Sequence, residues 1–271
     1  MLQLTQINIY PVKSLDGFSP DSAVVEKRGL QHDRRWLITD PNGMFLTQRT
    51  NPKMAMLRAT IEGDCLVIQE KDKPSNDFKI PINTEGPLSP VTVWNDTMKA
   101  ASVSKEVNGF LSDFLEKEVL LLKMPDTTER RVDEDYNRGS DIVSFADGYP
   151  FLIIGEASMA DLNARLSDPL SIRRFRTNFL FSGGTPFQED AFQDFKIGSV
   201  DFRGIKNCSR CVLITRDPDT GVKGKEPLLT LQNYRQKGTK TMFGQNLIWH
   251  FGKWAENEKP VVHVGDTITL L

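Results

Sequence analysis

The segment Asn207–Gly221, NCSRCVLITRDPDTG, sets Cys208 and Cys211 around Ser209 and Arg210. Two thiols so spaced can hold a soft metal, cycle as a disulfide, or leave the chemistry to one sulfur. The sequence offers few partners for a shared site. Cys65 is the third and last cysteine, and the histidines are His32, His250 and His263. No second CxxC and no HxxxH completes a zinc centre. Three thiols fall short of the set that holds an iron–sulfur cluster. Residues two apart on a strand share a face. An extended CSRC therefore turns Ser209 and Cys211 one way and Cys208 the other, and cannot aim both sulfurs at one ion. Two readings follow: one functional thiol, Cys211, with Ser209 beside it, or two inert packing residues.

Other residues suit an anionic ligand. In RRFRTNFLF, read as a strand, Arg174, Arg176 and Asn178 share a face. Guanidinium groups clamp phosphate in bidentate fashion, and a carboxamide reads both donors and acceptors. YPVKSL adds Lys13 and Ser14 after the first strand, and HDRRW adds Arg34 and Arg35. Each of these is alternatively an ordinary surface charge. Together they describe a local basic pocket in a chain of formal net charge −2, which argues against a nucleic-acid surface. There is no GxSxG elbow, GxGxxG turn or Walker loop. Asp133, Glu134 and Asp135 sit in a charge-rich loop and read as solvated.

The elements that must position these residues are mostly strands. WLITDPNGMFLTQR and LRATIEGDCLVIQE read as hairpins, with turns at Asp40–Gly43 and Glu62–Asp64. Cys65 opens the second arm of the latter and reads as a small buried hydrophobe. Val107, Phe110, Leu111, Phe114 and Leu115 follow helical spacing, with Ser104 as N-cap. PDTTERRVDEDYNRGSD reads as a mobile loop or a boundary. GEASMADLNARL and EPLLTLQNYRQ read as helices; FRTNFLFSGG, DFKIGSVDFRGI, CVLITRDPDTG, LIWHFG and HVGDTITLL read as strands. No βαβ alternation is evident. The expected class is a β-rich α+β protein of barrel-like sheets with a few flanking helices. The N-terminus lacks the basic start and apolar run of a signal peptide, and no stretch approaches the ~18 apolar residues of a membrane span. A cytoplasmic protein without membrane partners is expected.

YPVKSL, GLQHDRRWLI, LTQR, GEASMADLNARL, RRFRTNFLFSG, CSRCVLITRDPDTG and FGQNL occur in this order. Together they resemble the MOSC proteins, with a MOSC N-terminal β-barrel domain over residues 1–122 and a molybdenum-cofactor-binding MOSC domain over 123–271. The nearest subgroup is similar to the mitochondrial amidoxime-reducing components and their bacterial relatives. The resemblance implies that the Cys211 thiolate ligates molybdenum held by molybdopterin. It implies cofactor contacts from Lys13, Ser14, Arg34, Asp147, Arg176, Asn178 and Ser209. The family pattern places two hydroxyl residues after the aspartate, where this chain has Gly148 and Tyr149. The family is also associated with pyridoxal phosphate. The implied activity is reduction of small N-hydroxylated substrates to amines. Its alternative is a cofactor-binding or sulfur-carrier module without turnover. With no iron–sulfur cluster of its own, the chain would take electrons from a separate ferredoxin, flavodoxin or haem protein with its reductase.

Overall fold

The computed structural model describes residues 1–84, 86–136, 139, 141–249 and 259–271. The C-terminal half is built on a closed seven-strand barrel. Its strands run in the order Phe151–Gly155, Phe179–Ser182, Leu2–Ile7, Thr267–Leu270, Asp194–Ile197, Val200–Arg210 and Lys240–Trp249. Lys240–Trp249 then pairs back onto Phe151–Gly155, which closes the ring. The first strand of the chain is thus a barrel stave: Leu4 faces Phe181 and Leu2 faces Ile268 across the ladders. Alternate residues of each strand turn inward. Among them Phe151, Phe179 and Phe202 meet with centroids 5.4–5.8 Å apart. Each such ring contributes about 1.5–3 kcal/mol by leaving water.

The N-terminal half forms a curled, open half-barrel. Trp36–Thr39, Leu120–Lys123, Asp96–Ser102 and Leu88–Val93 make one sheet; Leu57–Glu62, Cys65–Glu70 and Lys73–Pro81 make a meander. Helix Lys105–Leu115 covers this core with Val107, Leu111 and Leu115, and Ser104 Oγ accepts the Val107 N–H as the expected cap. Two further helices, Glu156–Asn163 and Leu228–Arg235, flank the barrel.

Several expectations hold, among them the two early hairpins and the β-rich class. Others need correction. RRFRTNFLF is not one strand: Ile172–Phe175 is a 3-10 turn, Arg176 is left-handed at φ +52°, and the strand begins at Phe179. CVLITRDPDTG is not a strand either; Val212–Thr215 is another 3-10 turn leading into a tight loop. Both runs hold a short apolar stretch, and a 3-10 turn can bury its key side chains, Phe175 and Ile214, as a strand would. One βαβ unit does exist: Phe151–Gly155 and Phe179–Ser182 are parallel, with helix Glu156–Asn163 between them. The long irregular return from Ala164 to Asn178 conceals it in the sequence. Cys65 is only half-buried. The PDTTERRVDEDYNRGSD segment has no regular helix or strand among its described residues, and Asn137, Arg138 and Ser140 lie outside them. It is nonetheless pinned by Arg130, whose guanidinium bonds Asp96 and the carbonyls of Ser144 and Ala146. The expected strand LIWHFG runs to Trp249; His250 to Gly252 lie outside the described residues.

Candidate functional site

Strand Val200–Arg210 carries the CSRC segment to the barrel rim. Its ladder with Lys240–Trp249 slips between Asn207 and Ser209, a bulge that re-aims the last residues. The strand stops at Arg210, and Cys211 begins the Val212–Thr215 turn. Cys211 is exposed. Cys208 is half-buried and packs on a cluster that includes Phe175, Ile214 and Phe243. Burial pushes the Cys208 thiol above its ordinary pKa. The opposite faces expected from strand parity do not exist, because the bulge and the strand end at Arg210 bring Cys208, Ser209 and Cys211 to the same cleft; burial, not parity, distinguishes the two sulfurs.

Beside Cys211 opens a cleft of about 330 Å³. Lys13, Ser14, Arg34, Asp147, Arg176, Asn178, Ser209 and Cys211 all line it, drawn from loops and strand ends across the whole chain. Arg174 lines it too, even though the shared strand face expected for Arg174, Arg176 and Asn178 does not exist. The left-handed turn at Arg176 achieves by a bend what parity was expected to achieve.

The cationic end is closely arranged. Asp33 is fully buried, accepts the Tyr10 backbone N–H and takes both of its oxygens to Arg34 at 2.6 and 2.8 Å. Arg34 also donates to the Arg176 carbonyl at 2.9 Å. Both guanidinium groups lie over the Tyr10 ring, at 4.4 and 4.3 Å. Burial first, then the like charge of Arg34, pulls the Arg176 pKa below its ordinary value. Arg176 Nη2 and Arg210 Nη2 are buried without a hydrogen-bond partner. Such orphaned donors cost roughly 1–3 kcal/mol each unless something accepts from them. An anion in the cleft meets that demand, so the residues fit a phosphate-bearing group.

Lys13 is buried; it donates to Asp147 Oδ1 at 2.5 Å and to the Phe145 carbonyl at 2.8 Å. Burial draws its pKa down to about 8 against the pull of Asp147. Burial opposes ionisation of Asp147, but Lys13, Arg49 and the Trp94 N–H together hold its carboxyl well below the usual range. The Asp147 side chain is 65% exposed toward the cleft, so the direction rests on its ion pair. Ser14 sits at φ +67° and fixes the loop by accepting at its carbonyl from Gln48. The Asn178 carboxamide is engaged with the backbone of Leu152 and Asn8 and ties two barrel strands together.

The DPDTG turn is a brace. Asp217 accepts the N–H groups of Asp219 and Thr220 and pairs with Arg174 at 3.1 Å. Asp219 pairs with Arg173, which also reaches Asp16 at 2.5 Å. Lys71 pairs with Asp16 at 2.8 Å and donates to the Pro218 carbonyl at 2.7 Å, joining the meander to this turn.

Two residues of the site carry no signal in the sequence. Arg49 Nη1 lies 3.9 Å from Cys211 Sγ, and its guanidinium stacks 4.2 Å over Trp94. The Trp94 N–H donates to Asp147 at 3.3 Å. Arg49 closes the LTQR motif, which alone says nothing of a thiol 162 positions away.

Comparison with known proteins agrees with this geometry. Residues 1–118 match the MOSC N-terminal beta barrel domain and residues 140–269 the MOSC domain. The mitochondrial amidoxime-reducing component 1 of Homo sapiens is 34% identical over 289 residues, covering 99% of this chain and 82% of the relative. Its Mus musculus counterpart is 31% identical over 283 residues, with 99% and 82% covered. The molybdenum cofactor sulfurase of Oryza sativa subsp. japonica is 30% identical over 281 residues, which is 95% of this chain but 34% of that protein. With both domains matched in order and the Cys211 cleft between them, the chain belongs to the MOSC family.

Proposed function

We propose that the protein is a molybdenum-dependent oxidoreductase that reduces N-hydroxylated compounds, such as amidoximes, hydroxylamines and N-hydroxylated bases, to amines. The observation that carries this reading is the meeting, in one cleft, of an exposed thiol, Cys211, with the two buried and unpartnered guanidinium nitrogens of Arg176 and Arg210. Thiolate suits a metal with soft sulfur ligation. The dithiolene of a pterin cofactor would bring sulfur ligands of its own to a metal at Cys211. A molybdenum–molybdopterin group, when bound, would supply two-electron oxygen-atom chemistry. Cys211 would ligate it. Arg34, Arg176 and Lys13 would offset its phosphate charge, with Ser14, Ser209 and Asp147 lining the same cleft. Asn178 would contribute by holding the strands that carry these groups.

Reduction breaks one N–O bond and consumes two electrons and two protons; the oxygen leaves as water and the amine remains. The electrons would come from a separate ferredoxin, flavodoxin or haem protein with its reductase. The proposed setting is the cytoplasm. The names of the human and mouse relatives speak of amidoxime reduction and support the substrate class. The rice relative, a molybdenum cofactor sulfurase, supports a second reading as a cofactor-handling module. Protein loaded in a host that makes the cofactor is expected to reduce benzamidoxime with a reduced viologen and not with NADH or NADPH alone. Full molybdenum and pterin content without viologen-driven turnover would overturn the reductase reading in favour of the cofactor-handling module.

A further inference from the structure

The wall of the cleft that faces Cys211 is not barrel. It includes Arg49 from the N-terminal half, and Trp94 of the half-barrel stands behind it, stacked on its guanidinium. Trp94 sits in the turn between Leu88–Val93 and Asp96–Ser102 at φ +57°, a backbone region that a bulky side chain rarely adopts. It is also 42% exposed, unusual for an indole. A strained and exposed aromatic at a cleft points to a task there. Phe45 packs edge-on against it at 5.0 Å, and its N–H is spent on Asp147. The ring is therefore fixed, and it fixes Arg49 by stacking. Arg216 holds the Arg49 carbonyl at 2.7 Å, so backbone and guanidinium are both set.

Most cations of the cleft already have work. Lys13 pairs with Asp147, Arg34 with Asp33 and Arg174 with Asp217, while Arg210 bonds the carbonyls of Phe243 and Phe175. The side chain of Arg49 has one hydrogen-bond acceptor among the described residues, the Cys211 sulfur at 3.9 Å. Sulfur is a weak acceptor. The remaining donors of a rigid guanidinium fork thus stand free beside the exposed thiol.

From this placement we infer that Arg49, backed by Trp94, positions the substrate by donating to the oxygen of its N–O group next to Cys211. The inference rests on the reductase reading and deepens it. It makes the N-terminal half a contributor to substrate recognition and not merely a support. It also predicts a preference for substrates whose oxygen carries negative character, because a charge-assisted hydrogen bond to a cation is the stronger kind.

The test uses cofactor-loaded Arg49→Gln, Arg49→Lys and Trp94→Phe proteins with benzamidoxime. Arg49→Gln is expected to raise KM tenfold or more while molybdenum and pterin content stay at the wild-type level. Arg49→Lys, which keeps the charge but loses the fork, should fall between the two, and Trp94→Phe should raise KM by a smaller factor. Binding without reductant, read as quenching of tryptophan fluorescence, should weaken in parallel. An unchanged KM in Arg49→Gln overturns the inference. So does loss of cofactor with KM intact, which would make Arg49 a cofactor ligand instead. Should the wild type bind cofactor yet fail to turn over, the proposed function falls, and the fluorescence titration still decides whether Arg49 holds benzamidoxime. Should it take up no cofactor, the same titration on unloaded protein decides.

Discussion

Lys13 Nζ and Asp147 Oδ1 are 2.5 Å apart, though 134 positions separate them and the lysine is 6% exposed at its side chain while the aspartate is 65% exposed. The pair brings the loop after the first strand against the end of the charged segment, on the edge of the cleft. Its charge state sets a pH dependence. Burial lowers the Lys13 pKa from 10.5 to about 8. As pH rises through 8 the lysine loses its proton and the cleft loses a positive charge. Affinity of the unloaded protein for inorganic pyrophosphate is expected to fall above pH 8, and Lys13→Met should remove that limb from the titration. Folding responds in the opposite sense. Between about 8 and 10.5 the unfolded chain binds more protons at this lysine than the folded one, so its contribution to stability rises with pH there. Calorimetric anion titrations and melting curves at pH 7 and 9.5 measure both signs.

The two cysteines of CSRC should separate by reactivity as well as by function. Cys211 is exposed, whereas burial raises the Cys208 thiol and packs it on Ile214 and Phe243. Iodoacetamide on unloaded protein should label Cys211 first and Cys208 last, by mass spectrometry of peptides. Cys211→Ala should abolish turnover and metal retention. Cys208→Ala should retain most activity and cost roughly 1 kcal/mol of stability. Equal loss of activity in both variants would revive a paired-sulfur site.

Arg176 is held at a cost to the fold. Its Nη2 is buried without a partner, and Arg34 lies against the same ring. Replacing it by Met is expected to raise the melting temperature of unloaded protein, because a buried donor without a partner is removed and an apolar side chain can still pack on Tyr10. The same change should weaken cofactor retention about tenfold or more, since a charge-assisted contact is worth roughly 1.5–3 kcal/mol. A variant that lost stability and kept its cofactor would refute the anion-site assignment. Arg34→Met differs: it also strands the buried Asp33 carboxylate, so its loss of retention should come with loss of stability.

The sequence was legible where one local rule governs. The turn chemistry at Asp40–Gly43 marked a real hairpin, whereas strand parity failed for Cys208, which reaches the same cleft as Ser209 and Cys211 because the strand bulges and then stops at Arg210. It was less legible where a short apolar stretch has two structural solutions, as at Ile172–Phe175 and Val212–Thr215, which fold as 3-10 turns. Arg174, Arg176 and Asn178 reached one cleft all the same, because the bend at Arg176 substitutes for a shared face. Arg49 and Trp94 were invisible for a different reason. Their environment exists only once the half-barrel packs on the barrel rim, and no spacing within LTQR or VTVWNDT encodes that contact. The barrel position of Leu2–Ile7 was equally hidden, since a six-residue strand at a chain start can pair with any edge.

That strand supplies the last prediction. Leu2–Ile7 fills the gap between Phe179–Ser182 and Thr267–Leu270, and Leu4 and Ile7 are fully buried. A division of the chain at 122/123 cuts strand Leu120–Lys123 and separates the barrel from one of its seven staves. A chain of residues 123–271 alone would expose the facing edges of two strands together with the phenylalanine core behind them. It should be insoluble or molten, seen as lost near-ultraviolet circular dichroism. Supplying residues 1–9 through a flexible linker at its N-terminus should restore part of the signal, because the missing ladder and three core side chains, Leu4, Ile7 and Ile9, return. The full-length Leu4→Ala protein should lose about 2–5 kcal/mol in urea denaturation. If residues 123–271 fold cooperatively without the strand, barrel closure by Leu2–Ile7 is dispensable and the N-terminal half is an independent unit.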